Sequence, residues 1–122
     1  GDVYSCDHFV FPQYKLGNIT RQSISNLMRS QRQLTFGQNK RDKLPGQCRA
    51  CDYLFACNGE CPKNRFARTA DGEPGLNYLC AGYHRFFAHV APYMDWMKHE
   101  LLNKRPPAGI VDMLRENPKF GQ

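Results

Sequence analysis

The chain has 122 residues, of which 41% are hydrophobic and 12% aromatic, so it is about one domain long with apolar mass for a modest core. No stretch approaches the roughly 20 apolar residues of a membrane helix, and Gly1-Asp2-Val3-Tyr4-Ser5 lacks the basic and apolar regions of a secretory signal, so neither a membrane span nor export is implied. The 17 Lys and Arg outnumber 11 Asp and Glu, a formal charge of +6, but the densest basic run, Lys40-Arg41-Asp42-Lys43, is broken by an acid, and no basic face is interleaved with aromatics, which argues against nucleic-acid binding.

Residues 1–19 alternate and hold strand formers, among them Val3, Tyr4, Phe9, Val10, Phe11, Tyr14, Leu16 and Ile19, broken at Pro12-Gln13; the pattern predicts a β-hairpin. The abrupt start in β-type alternation, without a Met, reads as a C-terminal piece of a longer protein. Over residues 20–47, Thr20 or Ser23 is expected to cap a short helix bearing Ile24, Leu27 and Met28, and Leu34 and Phe36 fall in a second short helix before Gly37. Polar residues 37–47, with a Pro45-Gly46 turn, read as an exposed loop.

Residues 48–80 contain five of the six cysteines, in the run Cys48-x2-Cys51-x5-Cys57-x3-Cys61 followed by Cys80; Cys6 stands apart. Such clustered thiols suit zinc or an iron–sulfur cluster. The two-residue spacing of Cys48 and Cys51 and the lack of a secretory signal argue against a disulfide scaffold. Asn58-Gly59-Glu60 and Pro62 favour tight turns, with a single helical turn expected at 51–57 and a turn-rich connection at 69–76. Arg49, Lys63 and Arg65 read as an offset to thiolate charge. For residues 81–116, Tyr83, Phe86, Phe87, Val90, Met94, Met97 and Leu101 recur at helical spacing, predicting an amphipathic helix kinked at Pro92, stopped by Pro106-Pro107 and followed by a short helix from near Pro107. His84, His89 and His99 lie along it, where surface or core-edge roles are the ordinary expectation, His84 being one turn past Cys80. The expected fold class is therefore α+β: one small metal-stapled domain over 1–122, with an N-terminal β-hairpin, a loop-rich cysteine cluster and C-terminal amphipathic helices.

One four-sulfur site leaves a sulfur over. If Cys48, Cys51, Cys57 and Cys80 complete it, Cys61 can face a second centre that Cys6 joins.

The elements Gly1-x4-Cys6, Cys48-x2-Cys51-x5-Cys57-x3-Cys61 and a final Cys80 resemble the SPASM domain, the auxiliary-cluster domain of radical S-adenosylmethionine enzymes that modify peptides and proteins. Gly-Asp-Val-Tyr-Ser-Cys-Asp-His-Phe-Val, the exit Leu16-Gly17-Asn18-Ile19 and the aromatic-rich helix after Cys80 extend the resemblance to the anaerobic sulfatase-maturating enzymes. It implies that Cys48, Cys51, Cys57 and Cys80 hold an auxiliary [4Fe–4S] cluster, that Cys6 and Cys61 contribute to an incomplete second one, and that Asp7 stands where the family's proposed catalytic base does. It further implies a cytoplasmic parent that oxidises a Cys or Ser of a sulfatase polypeptide to formylglycine. No Cys-x3-Cys-x2-Cys motif is present, so the radical S-adenosylmethionine domain is absent, S-adenosylmethionine is not bound here, and this piece alone is expected to be inactive.

From residue type alone Asp7 reads as a solvated hairpin carboxylate, with His8 beside it. Two further readings stand beside the cluster domain: a zinc-stabilised structural or protein-binding module without redox role, and, more weakly, a basic nucleic-acid-binding zinc domain. Zinc is also expected in the four-thiolate site of a fragment made in air. Residues 37–80 carry little regular hydrophobic pattern, so metal should supply part of their folding energy.

Overall fold

A computed structural model describes residues 1–121. The fold is α+β, as expected, and its backbone forms two compact units, Gly1–Leu79 and a second that begins at Cys80. Among the described residues no helix is long and apolar enough to cross a membrane.

The first unit opens with the expected hairpin. Strand β1 (Asp2–Tyr4) pairs antiparallel with β2 (Lys15–Asn18), Asp2 opposite Asn18, with an irregularity between Val3 and Tyr4. Lys15 Nζ donates to Asp2 Oδ2 at 2.6 Å and Asn18 Nδ2 to Asp2 Oδ1 at 2.9 Å, and these bonds lower the Asp2 pKa. Helix α1 (Ile24–Met28) is capped by Ser23, whose side chain accepts from the Asn26 amide.

The second helix departs from expectation. Helix α2 (Gln31–Asp42) passes straight through Gly37, where a loop was read. Ser30 starts it by accepting from the Gln33 amide, and Gln31–Thr35 and Lys40–Phe36 contacts at four-residue spacing support it. One helical glycine costs only about 1 kcal/mol, less than these contacts and its docking provide. That docking is onto the first hairpin: Arg32 Nη1 donates to the Lys15 carbonyl at 2.6 Å, Gln33 Nε2 to the Ser5 carbonyl at 3.2 Å, and Phe36 meets the edges of Phe9 and Tyr14.

Pro45-Gly46 also differs from the expected turn: Pro45 caps a short helix, α3 (Gly46–Arg49). The single turn expected at 51–57 is α4 (Leu54–Cys57). The connection read as turn-rich at 69–76 contains half of a second hairpin, β3 (Ala67–Arg68) against β4 (Pro74–Leu76). Its turn closes through Thr69, whose Oγ1 accepts from the Glu73 amide at 3.0 Å. Leu27, Leu44, Pro45, Cys48 and Leu76 are the buried apolar residues around which this unit is built.

In the second unit, α5 (Cys80–Leu102) contains Pro92, and α6 (Ile110–Glu116) follows a single 3-10 turn at Pro107–Gly109. Helix α5 ends before the two prolines expected to stop it. The Lys104 amide donates to the Leu101 carbonyl at 3.0 Å and the Arg105 amide to the Glu100 carbonyl at 2.8 Å, with Lys104 at a φ of 57°. That pair of bonds is a Schellman cap, with lysine where glycine is usual. Tyr93 Oη donates to the Phe120 carbonyl at 3.1 Å, holding the C-terminal turn on α5.

Candidate metal centre

Each cysteine of the run sits where a backbone device fixes it. Cys48 lies in α3, is 8% exposed, and donates its amide to the Pro45 carbonyl at 3.0 Å. Glu73, from the turn of the second hairpin, anchors that short helix: its Oε2 accepts from the Gly46 amide at 2.7 Å and its Oε1 lies 3.7 Å from Arg49 Nη2. Cys51 follows with its amide on the Cys48 carbonyl at 3.2 Å, and its own carbonyl accepts from Leu54 at 3.0 Å as α4 begins.

Cys57 ends α4, and between it and Cys61 the chain changes hand. Asn58, Gly59 and Glu60 have φ values of 49°, 71° and 61° in succession. Left-handed backbone costs a residue with a Cβ roughly 1–2 kcal/mol, so something must hold Asn58 and Glu60 there. Arg65 does so: Nη2 donates to the Asn58 carbonyl at 3.0 Å and to Glu60 at 2.6 Å, and Nε to Gly59 at 2.8 Å. A Cβ at Gly59 would collide with Leu44 Cδ2 and crowd Arg65. Cys61 then starts a 3-10 turn, its carbonyl accepting from the Asn64 amide at 2.9 Å.

The first hairpin brings a second group to Cys61. His8 Nδ1 lies 3.4 Å from Cys61 Sγ, Cys6 Sγ donates to Asp7 Oδ1 at 3.1 Å, and His8 Nε2 lies 3.9 Å from Asp7 Oδ2. Ligand atoms of Cys6, Asp7 and His8 all lie within 4.8 Å of one another. The Asp7 carboxyl, largely exposed, is held below its ordinary pKa first by the Cys6 hydrogen bond and then by the nearby His8 ring. That S–H donor exists only while Cys6 keeps its proton.

Electrostatics connect the sulfurs to one cation. Burial lowers the Arg65 pKa, while Cys48, Cys61, Glu60 and Cys57 favour its charged form. Arg65 thus feels the charge of the expected ligands Cys48, Cys57 and Cys61, and Cys6 and Asp7 stand beside Cys61 through His8. Cys80 is the first residue of α5 and belongs to the second unit, as does His84. His8, read only as the neighbour of Asp7, gains a contact that its Cys-Asp-His run could have signalled. The donor set, soft thiols, fits iron–sulfur ligation.

A family model described as SPASM, an iron–sulfur cluster-binding domain, matches residues 1–52. The chain is also 66% identical, over 95% of its length, to a serine-type anaerobic sulfatase-maturating enzyme of Bacteroides thetaiotaomicron. Its first 52 residues thus match the SPASM family, and the chain is similar to the anaerobic sulfatase-maturating enzymes. A cysteine-type anaerobic sulfatase-maturating enzyme of Clostridium perfringens is 30% identical over 75% of the chain. Among solved structures, native anSMEcpe with bound AdoMet and the Kp18Cys peptide superposes on 75% of this chain with a TM-score of 0.63 at 30% identity. The chain spans 28% of the Bacteroides enzyme, 24% of the Clostridium enzyme and 25% of the solved chain.

Proposed function

We propose that this chain is the auxiliary-cluster domain of an anaerobic sulfatase-maturating enzyme, a cytoplasmic radical S-adenosylmethionine oxidoreductase whose substrate is a sulfatase polypeptide. The observation that carries it is the ordered cysteine set in a chain 66% identical to a sulfatase-maturating relative. Cys48, Cys51, Cys57 and Cys80 are the proposed ligands of one [4Fe–4S] cluster, and Cys6 and Cys61 are proposed to contribute to a second. When bound, such a cluster supplies an electron acceptor.

The chain's own residues then have separate tasks. Asp7 is the proposed general base that takes the proton from the substrate side chain, next to a cluster ligand, so that proton removal and electron loss occur at one place. Support for it comes from its position beside Cys6 and its open exposure, which leaves room for a polypeptide. Serine is the proposed target residue, because the 66% relative is of the serine type and the cysteine-type one is only 30% identical. Neither S-adenosylmethionine binding nor the radical step is assigned to this chain, and both fall to a separate radical S-adenosylmethionine domain.

Anaerobic reconstitution with quantified iron and sulfide tests this. Uptake of about one four-iron cluster per chain is expected. Tight zinc binding with no cluster formed anaerobically would instead establish the zinc-stabilised module. Zinc in a sample prepared in air does not separate the two, because the same thiolates accept either metal.

A further inference from the structure

Arg65 spends every nitrogen of its guanidinium on backbone carbonyls. Besides the bonds to residues 58–60, Nε also donates to Glu60 at 3.2 Å, and Nη1 donates to the Lys40 carbonyl of α2 at 2.6 Å. None of these acceptors is a carboxylate, and among the described residues no ion pair accounts for this arginine. Its fork instead gathers three successive carbonyls, all turned to one side by the left-handed backbone, and ties them to a helix docked on the first hairpin.

We infer that Arg65 is the positioning residue of the cysteine loop: it holds the connection between Cys57 and Cys61 in its left-handed form. The inference rests on the cluster reading above and assigns it a residue that ligates nothing. Its support is the set of carbonyl bonds to residues 58–60 and to Lys40. A lysine could carry the charge but lacks the planar fork needed to reach several carbonyls at once.

The clamp is tested in the full chain with Arg65→Lys and Arg65→Gln. Amide exchange at residues 58–61 of the zinc-loaded protein reads it; both variants should exchange about tenfold faster or more, the change expected for losing one charge-assisted hydrogen bond. After anaerobic reconstitution, both should release iron faster than the parent. Unchanged exchange in both variants overturns the clamp. If Arg65→Lys loses protection equally through α2 and the second hairpin, Arg65 is a general stabilising residue and the inference fails. A parent protein that takes up no iron refutes the cluster reading instead, while the exchange measurement on the zinc-loaded protein still decides the clamp.

Discussion

His8 Nδ1 lies 3.4 Å from Cys61 Sγ, a contact spanning 53 residues of sequence. It joins the loop of the first hairpin to the end of the cysteine run, and so places Cys6 and Cys61 in one neighbourhood. Cys48 and Cys57 are held by different devices, Glu73 with Pro45 for one and the end of α4 for the other. The cysteines should therefore divide by function. In anaerobic reconstitution of this chain, Cys48→Ala, Cys51→Ala and Cys57→Ala should each abolish most iron uptake, whereas Cys6→Ala and Cys61→Ala leave it close to the parent value. Iron loss in Cys61→Ala equal to that in Cys57→Ala would sink the two-centre assignment.

Metal removal should act locally. The segment from Pro45 to Asn64 is made of helices of four residues or fewer and short turns, with Cys48 its buried apolar side chain besides Pro45. Such a segment has little hydrophobic burial with which to offset its ordering entropy. Stripping the metal, or Cys51→Ala, is expected to raise amide exchange there while α5 keeps its protection. Equal protection with and without metal would show that ligation supplies no folding energy.

Gly59→Ala combines a left-handed φ of 71° with a collision against Leu44. Strain of about 1–2 kcal/mol and overpacking of about 1–3 kcal/mol both oppose it. Denaturant unfolding should show a loss of about 2 kcal/mol or more; a loss below about 0.5 kcal/mol would mean that the loop relaxes around the methyl group.

Lys104→Gly should do the reverse. The Schellman cap of α5 has its left-handed position filled by lysine at a φ of 57°. Glycine there relieves a strain of about 1 kcal/mol, and the thermal midpoint of the second unit should rise. A drop would indicate that the lysine side chain contributes more than its backbone costs.

Glu100 gives the second unit a pH dependence of known sign. Arg105 donates to it from Nε at 2.7 Å and Nη2 at 2.6 Å, and this pairing lowers the glutamate pKa. A carboxylate with a depressed folded pKa stabilises above its unfolded pKa, and the contribution disappears as pH falls through the lower, folded one. The stability gap between the parent and Glu100→Gln should hold at neutral pH and close on acidification below the ordinary glutamate pKa, near 4.3. A gap that widens in acid contradicts the sign.

Much of the architecture was legible because it follows short-range rules. Thr20 or Ser23 before Ile24-x2-Leu27-Met28 announced α1, with Ser23 the cap, and the apolar repeat from Tyr83 to Leu101 announced α5. Helix α2 was cut short in the sequence reading because Gly37 and a polar stretch resemble a loop, whereas its stability comes from docking on Ser5, Lys15 and the Phe9–Tyr14 pair, which no local pattern encodes. The second hairpin was hidden for the same reason, its strands being only two and three residues long. At the site, the cysteines were legible by spacing. The way Arg65 works was not, because an arginine bonded to carbonyls five to seven residues upstream leaves no periodic trace.

The reversal of hand at Asn58–Gly59–Glu60 changes what the spacing between Cys57 and Cys61 means. Had α4 continued, two cysteines four residues apart would project from the same face, about 5–6 Å apart at Cβ, and would be read as ligands of a single centre. Three left-handed residues break that correspondence. Neighbouring thiols in the sequence are thereby released from sharing one destination, which is what the proposed two-centre assignment requires of this short connection.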